Sequence, residues 1–129
     1  MTTELTLLAW TIVLALVHIF AFDIVRTRQY GTAWNMGARD ATMPPLSTIA
    51  DRLGRAQTNL FETLPLFAAA VLIAHLAGVH SARTVLGAQL YFWGRVLYLP
   101  LYAFGVPIVR SLVWLVSLAG LLLIVLAVL

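Results

Sequence analysis

The stretch LTLLAWTIVLALVHIFAFDIV, Leu5–Val25, decides what kind of protein this is. As a helix it is long enough to cross a hydrocarbon layer, which takes about 20 apolar residues. Glu4 precedes it and no basic residue does, so it lacks the positive lead-in of a cleaved secretory signal and reads as a retained span. Three more apolar segments follow, at about 51–77, 84–104 and 108–128. The last ends as LAGLLLIVLAVL, with no polar side chain after Ser117, and is expected to face lipid.

The composition agrees. The chain is 62% hydrophobic and 10% charged, outside the range of soluble globular domains. Its 129 residues are filled by about four spans with short connections. The expected fold is therefore all-α, an integral membrane four-helix bundle forming one domain over 1–129.

The connections are unequal. RTRQYGTAWNMGARDATMPPLS, Arg26–Ser47, reads as the one long loop, broken by Gly31, Gly37 and the Pro44-Pro45 pair. Gly78 with His80–Arg83 marks a short turn, and Gly105 with Pro107 a tight reversal. Arg26, Arg28, Arg39, Arg52 and Arg55 lie in or beside the long loop, whereas the second turn has only Arg83. The positive-inside rule then places the long loop in the cytoplasm and both termini outward. Trp10, Trp34, Tyr91, Trp93 and Trp114 are candidate interfacial aromatics.

With no Cys there is no thiolate nucleophile, disulfide or Cys-type metal site, so any thiol used here must come from a ligand. The basic side chains are all Arg, a planar fork suited to carboxylate or phosphate. They are scattered among apolar helices and form no solvated patch, which argues against nucleic acid. His18 and His75 lie mid-span without a second ligand at metal spacing; they read as hydrogen-bonded core histidines, and no metal is expected. Asp23 and Arg26 are spaced to pair at the end of the first span. Gly87 and Gly94, a heptad apart, are expected to permit close helix packing.

Two polar stripes carry the chemistry. Arg52, Arg55, Asn59 and Glu62 fall at i, i+3, i+7 and i+10, within an arc of roughly 80° on the second span. Tyr91, Arg95, Tyr98 and Tyr102 fall at i, i+4, i+7 and i+11, within about 60° on the third. An ionisable group at this depth costs at least roughly 2.5 kcal/mol and tends to be paired. Arg95 and Glu62 are the simplest such pair. Arg52, Arg55 and Arg110 then remain without a buried carboxylate, and that surplus of donors suits an anionic, carboxylate-bearing ligand, oriented by Asn59 and the tyrosines.

DRLGRAQTNLFETLPLF, Asp51–Phe67, resembles the pattern E-R-x-x-R-A-x-x-N-x-x-E-x-x-P of the membrane-associated proteins in eicosanoid and glutathione metabolism, the MAPEG family. Arg52, Arg55, Ala56, Asn59, Glu62 and Pro65 stand in register with it. GRVLYLPLY, Gly94–Tyr102, and PIVRS, Pro107–Ser111, are similar to the third and fourth helices of the prostaglandin E and leukotriene synthase members, and VRTR, Val25–Arg28, to the end of their first.

The resemblance implies a homotrimer with glutathione as co-substrate, held between neighbouring subunits near the cytoplasmic side. It implies that Arg52, Arg55, Asn59, Glu62, Arg95, Tyr98 and Tyr102 bind the tripeptide, with Arg26 supplied by the adjoining subunit. Arg110 matches the arginine that stabilises the glutathione thiolate. A lipophilic electrophile or hydroperoxide would arrive through the membrane lipid. Asp51 replaces the usual Glu, and Tyr98 and Trp114 stand where the prostaglandin enzyme has His and Tyr, so an eicosanoid substrate is not implied. The GTAWNMGARD segment resembles bacterial members, which implies a bacterial inner membrane.

The expected function is a glutathione-dependent transferase or peroxidase. The alternatives are a non-catalytic lipid-binding scaffold of the same family and a small multidrug-type transporter. Such carriers rely on a lone membrane carboxylate to attract cations, whereas here Glu62 is outnumbered by arginines.

Overall fold

The computed structural model describes all residues, 1–129. The chain is helical throughout: α1 spans Thr3–Tyr30, α2 Thr32–Met36, α3 Thr48–Leu76, α4 Ala82–Ala103 and α5 Pro107–Val128. α1 packs on α3 and α4, and α5 packs chiefly on α4. Three helices, α1, α3 and α5, are long and apolar enough to cross a membrane. α4 has the length, but Gln89, Arg95 and three tyrosines lower its apolar content.

Local chemistry sets the helix ends. The Thr2 hydroxyl accepts from the Leu5 amide at 3.3 Å to start α1, and Ser47 does the same for α3 through Ala50. Ser81 and Thr84 form a reciprocal capping box at α4. Pro107 opens α5 at a position where a missing amide costs nothing. Gly78 and Gly105 turn the chain with φ of +71°, a conformation in which a Cβ would be strained.

The segment 26–47 differs from the expected loop. α1 continues through Arg26–Tyr30 until Gly31, and α2 follows at once. The side chain of Gln29 holds the rest in place, donating to the Pro45 carbonyl at 2.8 Å and accepting from the Ser47 amide at 2.7 Å. These bonds satisfy backbone groups that apolarity patterns do not register.

The outside is apolar and much of the inside is polar. Leu16, Val17, Phe20, Leu115, Leu122 and Leu126 are exposed, as suits a surface solvated by lipid. Thr11, His18, Thr84, Arg95 and Ser117 are buried. The apolar core gathers Leu7, Phe67, Val71, Tyr91, Phe92, Leu121 and Ile124. Tyr91 is thus a core residue and not an interfacial one: its ring stacks on Phe67 at 4.0 Å and its hydroxyl meets that of Thr63 at 2.9 Å. The end of α5 is likewise two-faced, with Gly120, Leu121 and Ile124 packed inward.

The start of α1 is fastened by charge. Buried Glu4 accepts from Thr84 at 2.8 Å, and both its carboxylate oxygens lie 2.9 Å from His80 Nδ1. Gly87 and Gly94 do allow close packing, with Gly87 against Gly120 and Gly94 against Ser117.

Candidate functional site

Three helices meet at the end of the molecule marked by the Gly105 turn, and each brings part of a polar cluster. The α3 stripe contributes Arg52, Arg55 and Asn59, the α4 stripe Arg95, Tyr98 and Tyr102, and the first turn of α5 adds Arg110. The Gly105 turn closes so tightly that a Cβ there would lie 2.7 Å from the Arg52 guanidinium carbon. Arg52 is thereby packed over the α4–α5 connection.

Two cavities open along this seam. One, of about 220 Å³, is lined by Arg52, Arg55, Tyr102, Gly105, Pro107 and Arg110. The other, of about 230 Å³, is lined by Asn59, Tyr98, Arg110, Ser111 and Trp114. Arg110 belongs to both. The first holds three guanidinium groups and no carboxylate, the arrangement of an anion site. The Tyr102 ring is a common platform, 4.8 Å from the Arg110 guanidinium and 5.4 Å from that of Arg55.

Deeper in, Arg95 is fully buried. Its NH1 donates to Asn59 Oδ1 at 2.7 Å and its guanidinium lies 4.3 Å from the Tyr98 ring centre. The expected Arg95–Glu62 pair is absent. Glu62 lies on the exposed face of α3 and makes no ion pair, and a neutral amide one turn closer to the seam takes the guanidinium instead. Spacing along α3 places Asn59 and Glu62 in one stripe but does not say which of them α4 approaches. Arg55 is paired with Asp51 at 2.9 Å, both side chains more than half exposed, so this contact is weak and readily exchanged for a ligand.

Arg26 stands apart from the two cavities. It pairs with Asp23 at 2.7 Å, as their spacing predicts, and its guanidinium lies over Phe22 at 4.7 Å and Trp34 at 5.4 Å. Trp34 also stacks against Arg39, which ties α2 to its surroundings through cations. His18 departs from expectation too: it is buried, yet neither ring nitrogen has a hydrogen-bond partner.

Ser111 and Trp114 were not among the expected site residues. They follow Arg110 at i+1 and i+4, and extending the helical period from Arg110 finds Trp114 at once.

Compared with known families, residues 7–129 match the model of the MAPEG family. No curated protein matches the chain, and no solved structure does.

Proposed function

Because the chain belongs to the MAPEG family and has three helices able to cross a bilayer, it is an integral membrane protein, and we propose that it is a glutathione-dependent transferase or peroxidase acting on lipophilic electrophiles or hydroperoxides. The observation that carries this reading is the pair of cavities sharing Arg110, one of them lined by three arginines without a carboxylate. Glutathione brings two carboxylates to such a surface, and a thiol that the chain itself lacks.

In this reading Arg52 and Arg55 take carboxylates at the open end, while Asn59, Arg95, Tyr98 and Tyr102 orient the peptide. Arg110 faces the sulfur. A cation beside a thiol favours its ionised form, so more of the nucleophile is present at neutral pH than the ordinary thiol pKa of about 8.5 allows. The thiol proton leaves to water. The sulfur lone pair then forms a bond to the electrophilic carbon as the leaving group departs with its electrons. With a hydroperoxide, the sulfur attacks the terminal oxygen, the O–O bond breaks, and a second glutathione completes a disulfide with release of water and alcohol.

Four features supplement the proposal: α4 crosses the membrane with the other three long helices, three chains assemble around the site, the segment between α1 and α3 faces the cytoplasm, and both termini face outward. Glu62 supports the assembly. An exposed carboxylate at membrane depth is costly against lipid and is accommodated against a neighbouring subunit, where Arg26 of that subunit offers a partner.

A calorimetric titration of the detergent-purified protein with glutathione tests the reading. The expected dissociation constant is about a millimolar or tighter, or at least ~4 kcal/mol of binding. Turnover of a generic aryl halide is expected alongside it. Absence of heat at millimolar glutathione would leave the non-catalytic scaffold in place of the enzyme.

A further inference from the structure

Two buried groups on facing helices lack what the other can supply. Arg95 is fully buried, and only its NH1 has a partner; Nε and NH2 have none. His18 is 1% exposed, and both its ring nitrogens are unpartnered. Their helices, α1 and α4, pack side by side. Leu14 and Ala15 of α1 pack with Leu60 of α3 and Val96 of α4. His18 is one turn from Leu14, Asn59 adjoins Leu60, and Arg95 adjoins Val96.

The chemistry is complementary. A guanidinium has only N–H donors, and a neutral imidazole has one acceptor nitrogen and one donor. Leaving either unsatisfied in the interior costs on the order of 1–3 kcal/mol. Glu62, the nearby carboxylate on α3, makes no salt bridge to Arg95.

We propose that His18 is the second anchor of Arg95: its acceptor nitrogen takes a hydrogen bond from the Nε–NH2 edge through one bridging water, so that the guanidinium is held from α1 as well as from Asn59. His18 is a positioning residue, and it does not touch the cavities. Its consequence for ligand binding rests on the glutathione reading; the anchor itself does not. Held at two edges, Arg95 presents a fixed charge behind Tyr98 and Asn59, and a ligand meets a surface already ordered.

The test uses the full chain in detergent, labelled with ¹⁵N at histidine and arginine. In the unaltered protein one His18 ring nitrogen is expected to show the shift of a hydrogen-bonded acceptor. Two ring nitrogens averaged between tautomers would overturn the anchor, and this measurement needs no variant. His18→Leu is expected to move the Arg95 Nε–H resonance, and His18→Gln, which keeps a donor and an acceptor, to restore it; an unmoved resonance in His18→Leu also overturns it.

Glutathione affinity is expected to fall about tenfold in His18→Leu and to recover to within about threefold in His18→Gln, the scale of one hydrogen bond to a charged group. Equal loss in both variants, or loss in neither, removes the positioning role. If the unaltered protein binds no glutathione, the enzyme reading falls, while the ring-nitrogen result still decides the anchor.

Discussion

Arg110→Ala is expected to abolish the ultraviolet thiolate absorbance of bound glutathione and to slow aryl halide conjugation by about 10²-fold or more, the usual cost of removing one preorganised donor from a developing or resident anion. The reason is placement. Arg110 is the one cation common to both cavities, and it sits in the first turn of α5, where the helix's own field adds to its charge. Tyr102 supports it from below at 4.8 Å. Affinity should suffer less, by no more than about tenfold, because in the proposed reading Arg52 and Arg55 still meet the carboxylates. Arg110→Lys retains a charge without the planar fork and should fall between the two. A thiolate signal that survives in Arg110→Ala would assign its stabilisation elsewhere in the seam.

Gly120→Val should prevent the α4–α5 pair from forming and leave little folded protein in a detergent extract. The two backbones approach at Gly87 and Gly120: a Cβ on Gly87 would lie 2.5 Å from the Gly120 carbonyl oxygen, and one on Gly120 would collide with the Gly87 carbonyl and lie 2.7 Å from the Tyr91 amide nitrogen. Backbone atoms inside two helices cannot step aside as a side-chain tip can, so the cost exceeds the roughly 1–3 kcal/mol of ordinary overpacking. α4 and α5 together supply Tyr98, Tyr102 and Arg110, so the seam is lost with the fold. Ala119→Val, one residue away on the exposed side of α5, is the matched control and should leave the thermal midpoint in place. Equal midpoints for the two variants would show that the glycines are dispensable.

The helical period alone located the two stripes, because angular position around a helix depends only on residue number. Arg52, Arg55 and Asn59 of the α3 stripe and Tyr98 and Tyr102 of the α4 stripe line the two cavities, and Arg95 bonds to Asn59, whereas Glu62 lies on the exposed face of α3 and Tyr91 in the apolar core. The period could not state how closely neighbouring helices approach, and that approach chose Asn59 over Glu62 as the partner of Arg95. The glycines that set the approach were visible as Gly87 and Gly94, but their partners on α5 were not. Residues 37–47 form the irregular connection the breakers predict, but the continuation of α1 to Tyr30 and the short α2 do not follow from them, and the Gln29 clamp rests on hydrogen bonds between residues sixteen and eighteen positions apart, which leave no periodic trace. His18 lies in the interior, as its mid-span position predicts, but without the expected hydrogen bond, and His75, read in the same way, is exposed; which face of a span packs inward depends on the neighbouring helix.

The buried Arg95 also bears on how the chain enters a bilayer. If α4 crosses the membrane as proposed, then released from the ribosome alone it carries a guanidinium at mid-depth at a cost of roughly 2.5–3.5 kcal/mol, with Gln89 and three tyrosines adding to the deficit. α5 has no charged side chain beyond Arg110 in its first turn and partitions strongly into hydrocarbon. Their glycine contact makes the two helices one hairpin, so the favourable partition of the later helix draws in the earlier one. Asn59, on a helix synthesised before either, is already available to receive the incoming charge.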